Sequence, residues 1–269
     1  MGKQHIIVRY LRIFFLSILI FGATLSLGLS FTLLNRSFVE KQFDEEHYKN
    51  VEENIKNEMK RNMISSGISD TVIDTTFNSN DVRKTVNETL NILYENSKYK
   101  IDTSEMQKNL EKNITEDLKQ KNYKIDDTKG FEHFTKSTVD IYKKEFIMLN
   151  QVQKVGHYMQ KIIKLTMLVG IAIASVILVI VVARWKHYKR VISPALFTNA
   201  FLFLFGVWYI NKEAGLASIT IFSETFSVVL RRIIQNTFHV FQYISYAYLV
   251  IGVLVIILFV RKHHKSHLV

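Results

Sequence analysis

The sequence predicts an all-α, polytopic membrane protein: four transmembrane helices, with an extracytoplasmic helical bundle inserted between the first and the second. Three observations carry this expectation. Four windows, residues 13–34, 165–183, 191–210 and 240–260, contain no Asp, Glu, Lys or Arg. Lys and Arg gather in three short segments beside those windows. The long stretch between the first two windows repeats apolar residues at helical spacing while carrying a charge every few positions.

Each window is long enough to span a bilayer core of roughly 30 Å, which takes about 18 or more apolar residues. The mean hydropathy of +0.08 hides them, because it averages greasy windows with a highly charged middle. The first window follows a basic start and is too long for the apolar region of a cleaved signal peptide. With no clear A-x-A-like site after it, it reads as a retained signal anchor.

Charge sets the expected orientation. Residues 1–12, 184–190 and 261–269 carry ten Lys and Arg and no acidic residue, which is most of the formal net charge of +11. Residues 36–161 hold 21 basic and 22 acidic residues. Cytoplasmic loops near spans are enriched in Lys and Arg, so both termini and the turn 184–190 are expected in the cytoplasm of a cell (plasma) membrane. The basic balance suits anionic lipid at membrane exits. It does not suit nucleic acid, which would need a clustered basic face on a folded domain. Richness in Lys, Ile, Asn and Phe with a single proline points to a bacterial, Gram-positive source.

Residues 35–164 form the expected outward domain. Phe43, Val51, Ile55, Met59 and Met63 make one stripe of a helix expected to run on from the first span until Ser65-Ser66-Gly67. Phe131, Phe134, Ile141, Tyr142, Phe146, Leu149, Val152 and Val155 make the mirror stripe, expected to run unbroken into the second span. Between these two long neighbours lie two shorter helices. One carries Val82, Val86, Leu90 and Leu93, with Ser79-Asn80-Asp81 available to cap it. The other carries Met106, Leu110, Ile114 and Leu118, opened by Asp102 with Glu105 three residues on, which resembles a capping box. The bundle is thus expected to contain roughly four helices. A Tyr-Lys-Ile-Asp echo at Tyr99 and Tyr123 precedes two helix starts. It reads as connector plus cap, with a pair of matching ligand-facing loops as the alternative. In layout, but in no motif, span–helical domain–span resembles the periplasmic or extracellular sensor modules of bacterial receptors. The second span leads into the short turn 184–190 and not into a signalling domain, so a one-chain kinase or chemoreceptor is excluded.

Residues 211–239 repeat Leu216, Ile219, Phe222, Phe226, Val229, Leu230 and Ile233 at helical spacing opposite polar positions. An amphipathic helix at the outer interface is expected; a helix packed under the outward domain, or a re-entrant pore helix, are the alternatives. Residues 240–260 then form the fourth span and 261–269 a basic tail.

The sequence offers no catalytic, cofactor-binding or metal site. Cysteine is absent, which excludes disulfides, thiol catalysis and thiolate metal sites. No G-x-x-x-x-G-K-[ST], G-x-G-x-x-G or H-E-x-x-H occurs. Asp44 and His47 share a helical face but lack a third ligand. His263, His264 and His267 sit among cations that oppose a metal. Gly22, Ser26 and Ser30, with Gly170 and Ala174, let helices approach closely, within the chain or between subunits.

The expected function is that of a non-enzymatic integral membrane protein without a cofactor. Its outward domain binds a protein partner or ligand, as a sensor or accessory subunit of a membrane complex. The expected partners are the lipid bilayer, another membrane protein or further copies of the chain. A homo-oligomeric channel lined by Asn199, Gln242 or Ser245 is the alternative, and a membrane immunity or exclusion protein a further one.

Overall fold

The computed structural model describes residues 2–95, 102–123, 128–146, 149–188, 190–212 and 224–265. Among the described residues it is helical throughout, with no strand. The elements are α1 (Gly2–Phe31), α2 (Arg36–Glu40), α3 (Glu45–Met63), α4 (Asp70–Thr76), α5 (Ser79–Glu95), α6 (Ser104–Gln120), α7 (Thr128–Glu145), α8 (Leu149–Ala183), α9 (Trp185–Tyr188), α10 (Ile192–Lys212) and α11 (Glu224–Lys265). The chain divides into two compact units. Met1–Val39, Lys161–Thr220 and Leu230–Val269 form the apolar unit; Glu40–Gln160 and Ile221–Val229 form the polar unit. Four helices are long and apolar enough to cross a membrane, over Ile6–Phe31, Tyr158–Ala183, Ile192–Lys212 and Ser227–Leu258.

The four apolar windows of this unit contain no Asp, Glu, Lys or Arg, so between them ring stacking, small residues and hydroxyl–carbonyl bonds make the contacts. α1 packs on α10. Phe21 stacks on Phe203 at 4.9 Å, and Phe203 stacks on Phe241 of α11 at 5.3 Å, so three rings tie three helices together. Phe241 in turn lies against Gly28 so closely that any Cβ there would collide with its ring. Ser193 Oγ donates to the Gly252 carbonyl at 3.0 Å, joining α10 to α11. Two glycines of the first two windows face the other helix: a Cβ added at Gly170 would sit 3.0 Å from Leu27 and 3.1 Å from Ser26 Cβ, and one at Gly22 would sit 3.5 Å from Ile173. They serve packing of α1 on α8 within the chain.

In the polar unit α3 touches α4, α5 and α7, and α6 touches α4 and α7. The expected stripe of α3 is its buried face: Val51, Ile55, Met59 and Met63 are all at most 2% exposed. Asp44 caps the helix by accepting from the His47 backbone N–H at 2.8 Å. Val82, Val86, Leu90, Leu110 and Ile114 are buried as the spacing implies.

Several expectations need correction. The first apolar helix does not run on into the next. It stops at Phe31, where Thr32 Oγ1 and the Leu34 N–H take up carbonyls of the last turn, at Gly28 and Leu29. Asn35 then caps α2 and Asp44 caps α3, so two short polar side chains restart the helix where apolar spacing alone shows no stop. The mirror helix is also broken. α7 ends at Glu145, and the Phe146 N–H turns back to the Lys143 carbonyl while its ring packs on Tyr142.

Tyr142 and Phe146 of the expected stripe are buried, but the rest of the buried face of α7 is different. Thr135, Thr138 and Val139 occupy it with Tyr142, while Phe131, Phe134 and Ile141 are half-buried. The threonines tolerate burial because their hydroxyls bond Glu132 and Phe134 carbonyls in the preceding turn. α4 was not anticipated, so the polar unit has more helices than the roughly four expected. The capping box stands at α5 and not at α6: Asn78 Oδ1 accepts from the Asn80 N–H at 2.8 Å, and Asp81 Oδ2 accepts from the Asn78 N–H at 3.0 Å. Asp102 instead folds onto Ser104, accepting from its N–H and its hydroxyl. Of the segment 211–239, residues 213–223 lie outside the described ones; from Glu224 the amphipathic and apolar parts are a single helix of 42 residues.

One carboxylate fastens the loop before α4. Asp117 on α6 accepts from the Ser69 hydroxyl at 2.6 Å, the Ser69 N–H at 3.1 Å and Lys121 Nζ at 2.9 Å, and Lys121 also reaches the Gly67 carbonyl at 2.7 Å. The Ser69 hydroxyl, with Lys121 and the Ser69 N–H, holds the carboxyl below its ordinary value of 3.8. Stabilisation from this group is therefore present above that value and lost as pH falls through and below it. Asp117→Ala is expected to lower the stability of the chain by about 1–3 kcal/mol at neutral pH, and to lessen its acid sensitivity, as read by urea unfolding at pH 7 and at pH 3.

Candidate functional site

The polar unit contains a polar pocket of about 130 Å³ whose floor is Tyr142. α5 supplies Asp81, Lys84 and Glu88 to its rim, and the start of α6 supplies Asp102 and Glu105. Tyr142 comes from α7, wedged edge-on against Phe77 at 5.2 Å and tilted on Phe146 at 5.0 Å. Its hydroxyl donates to the Asp81 carbonyl at 2.9 Å, so the Thr85 hydroxyl 2.5 Å away must donate to it. Burial pushes the phenol well above the ordinary tyrosine value; Asp81 and Glu88 push the same way and Thr85 opposes them. The phenol is thus a fixed neutral group that keys α7 to α5.

Above this floor stand four carboxylates and one lysine, an environment that favours a cationic or donor-rich guest. Two of the four already have structural duties, since Asp81 closes the cap of α5 and Asp102 holds Ser104. The Ser104 hydroxyl and N–H keep the Asp102 carboxyl below its usual range. The geometry can hold charge in place.

Most of the Tyr-Lys-Ile-Asp echo, residues 99–101 and 124–126, lies outside the described residues. Asp102 of the first copy lies on the rim. Tyr123 of the second is 64% exposed, with its N–H closing the end of α6 on the Leu118 carbonyl. Asn122 before it takes the left-handed conformation at φ 58°, a helix-ending role. Both copies fall just before a helix, α6 and α7 respectively. Asp44 serves as a cap, and His47 is buried beside the rings of Phe43 and Tyr48. Among the described residues no three His, Cys, Asp or Glu side chains gather as metal ligands. The side chains of His263, His264 and His267 lie outside the described ones.

The three polar positions named for a pore have separate local partners. Asn199 is fully buried on α10, and its amide donates to the Ser17 carbonyl of α1 at 3.1 Å and to the Ala195 carbonyl at 2.8 Å. Ser245 is fully buried and bonds the Phe241 carbonyl one turn back. Gln242 is half-buried and bonds the Tyr246 hydroxyl. Asn199 therefore works as a helix-to-helix tie.

No protein-family model, no curated protein and no solved structure shows a significant match to this chain.

Two outcomes follow from this geometry. Tyr142→Phe is expected to cost about 1–3 kcal/mol, because the Asp81 carbonyl and Thr85 hydroxyl lose their common partner. Since folding favours the neutral phenol, its stabilisation is complete below pH 10 and lost above it, and Tyr94, pushed to about 12 by burial, acts the same way. Thermal unfolding between pH 9 and pH 11 is expected to show a smaller alkaline loss in Y142F than in the parent. Asn199→Ala is expected to cost about 1 kcal/mol, measured by thermal unfolding of the purified chain, with helix content retained.

Proposed function

We propose that this chain is a multi-pass integral membrane protein with both termini in the cytoplasm. On this reading the polar unit stands outside the membrane and binds a protein partner or ligand, as a sensor or accessory subunit of a membrane complex. The observation that carries the reading is the state of α8. Only 6% of its apolar window is buried, and Leu165, Leu168, Leu178 and Val182 are each more than 60% exposed. In water such a flank would be a large exposed apolar patch of the kind monomeric soluble proteins avoid; in lipid it costs nothing.

Orientation rests on the ten Lys and Arg of residues 1–12, 184–190 and 261–269, with no acid among them. Binding is favoured over catalysis because the polar unit pairs a compact helical core with a carboxylate-rimmed pocket, while its one deeply buried phenol there is committed to structure. A source in bacteria remains part of this reading, on composition.

The absence of cysteine makes the topology directly testable. In intact cells, Glu105→Cys is expected to react with a membrane-impermeant maleimide, whereas Lys265→Cys reacts only after permeabilisation. The reverse pattern would reject the orientation. Isolation of the tagged chain from membranes in mild detergent is expected to bring a second membrane protein or further copies with it; a lone monomer would reject the binding role.

A further inference from the structure

A second cavity, of about 690 Å³, runs between α1, α8, α10 and α11 within the apolar unit. Its wall extends along α1 from Leu16 to Phe31, about 22 Å at 1.5 Å per residue. Spread over that length, the volume accommodates a slender apolar guest such as one extended hydrocarbon chain. At 690 Å³ the cavity is also within the range of ligand sites, roughly 300–1,000 Å³.

The wall chemistry asks for such a guest. Its side-chain hydroxyls are Thr24 and Tyr248, which bond each other. Thr24 donates to the Ile20 carbonyl at 2.7 Å, so Tyr248 donates to Thr24, and neither hydroxyl has a proton left for a ligand. The remaining side chains of the wall are apolar. Leu178 and Val182 line the cavity yet are 65% and 69% exposed, so it opens sideways past α8. One end is distinguished by charge. Leu16 lies one turn beyond Arg12, Val182 two residues before Arg184, and residues 1–12 and 184–190 contain no acid.

We propose that this cavity holds one acyl chain of an anionic phospholipid, with the headgroup seated at the end marked by Arg12 and Arg184. The proposal rests on the membrane reading above and adds a bound ligand to it. Seating of an anionic head beside juxtamembrane Arg follows the ordinary electrostatics of basic pockets between spans. The acyl chain fills a space that would otherwise leave its lining without contacts.

The test uses the full chain, reconstituted in phosphatidylcholine vesicles with or without phosphatidylglycerol, then extracted in mild detergent and weighed intact by native mass spectrometry. One phosphatidylglycerol per chain is expected to remain bound from the mixed vesicles. Ala174→Phe fills the cavity and Val182→Trp blocks its mouth; each is expected to cut retention at least tenfold with circular dichroism unchanged. Arg184→Gln is expected to abolish the preference for phosphatidylglycerol. Equal retention of the two lipids by the parent, full retention by both blocked variants, or a lipid-free dimer in its place would overturn the proposal. A chain that floats with the vesicles but retains no lipid overturns this inference alone; one that does not float overturns the membrane reading beneath it.

Discussion

The ring of Phe241 rests directly on the backbone of α1 at Gly28, and the apolar unit is organised around that contact. A side chain of any size at position 28 would push the ring away. With the ring seated, its other face meets Phe203, and Phe203 meets Phe21. These three rings join α1, α10 and α11 with no charged side chain among them. The Asn199 amide and the Ser193 hydroxyl then find backbone carbonyls on neighbouring helices, at Ser17 and Gly252. Where helices are apolar on all sides, burial alone cannot choose one arrangement over another. Shape at a glycine and a few directed hydrogen bonds make the choice.

The polar unit follows the other rule. Amphipathic stripes on α3, α5 and α6 bury their apolar faces, and capping groups decide where each helix begins. Its tightest polar knot joins the Tyr142 phenol, Thr85 and the Asp81 carbonyl at the base of a negatively charged hollow. The same residues that seal the core thus shape the concavity above it.

Much of this was legible from residue order. Four long uncharged windows correspond to four apolar helices, and the spacing of Val51, Ile55, Met59 and Met63 named a buried face correctly. What escaped was governed by short polar side chains. Asn35, Asp44 and Asn78 restart helices through single hydrogen bonds, which apolar periodicity does not register. Thr135 and Thr138 enter the core because their hydroxyls bond to their own helix, so counting apolar residues named only part of the buried face around α7, Tyr142 and Phe146. α4 spans only seven residues, fewer than periodicity needs. The pocket at Tyr142 joins residues from α4 through α7, a convergence that no local window contains.

α8 illustrates how unevenly such a molecule is constrained. Its inner edge meets α1 through Gly170, where even a methyl group would press on Leu27 and Ser26. Its outer flank touches little of the chain. Along that flank, away from the cavity at Leu178 and Val182, one oily residue can replace another at little cost in packing, while a side chain at position 170 requires Leu27 and Ser26 to shift.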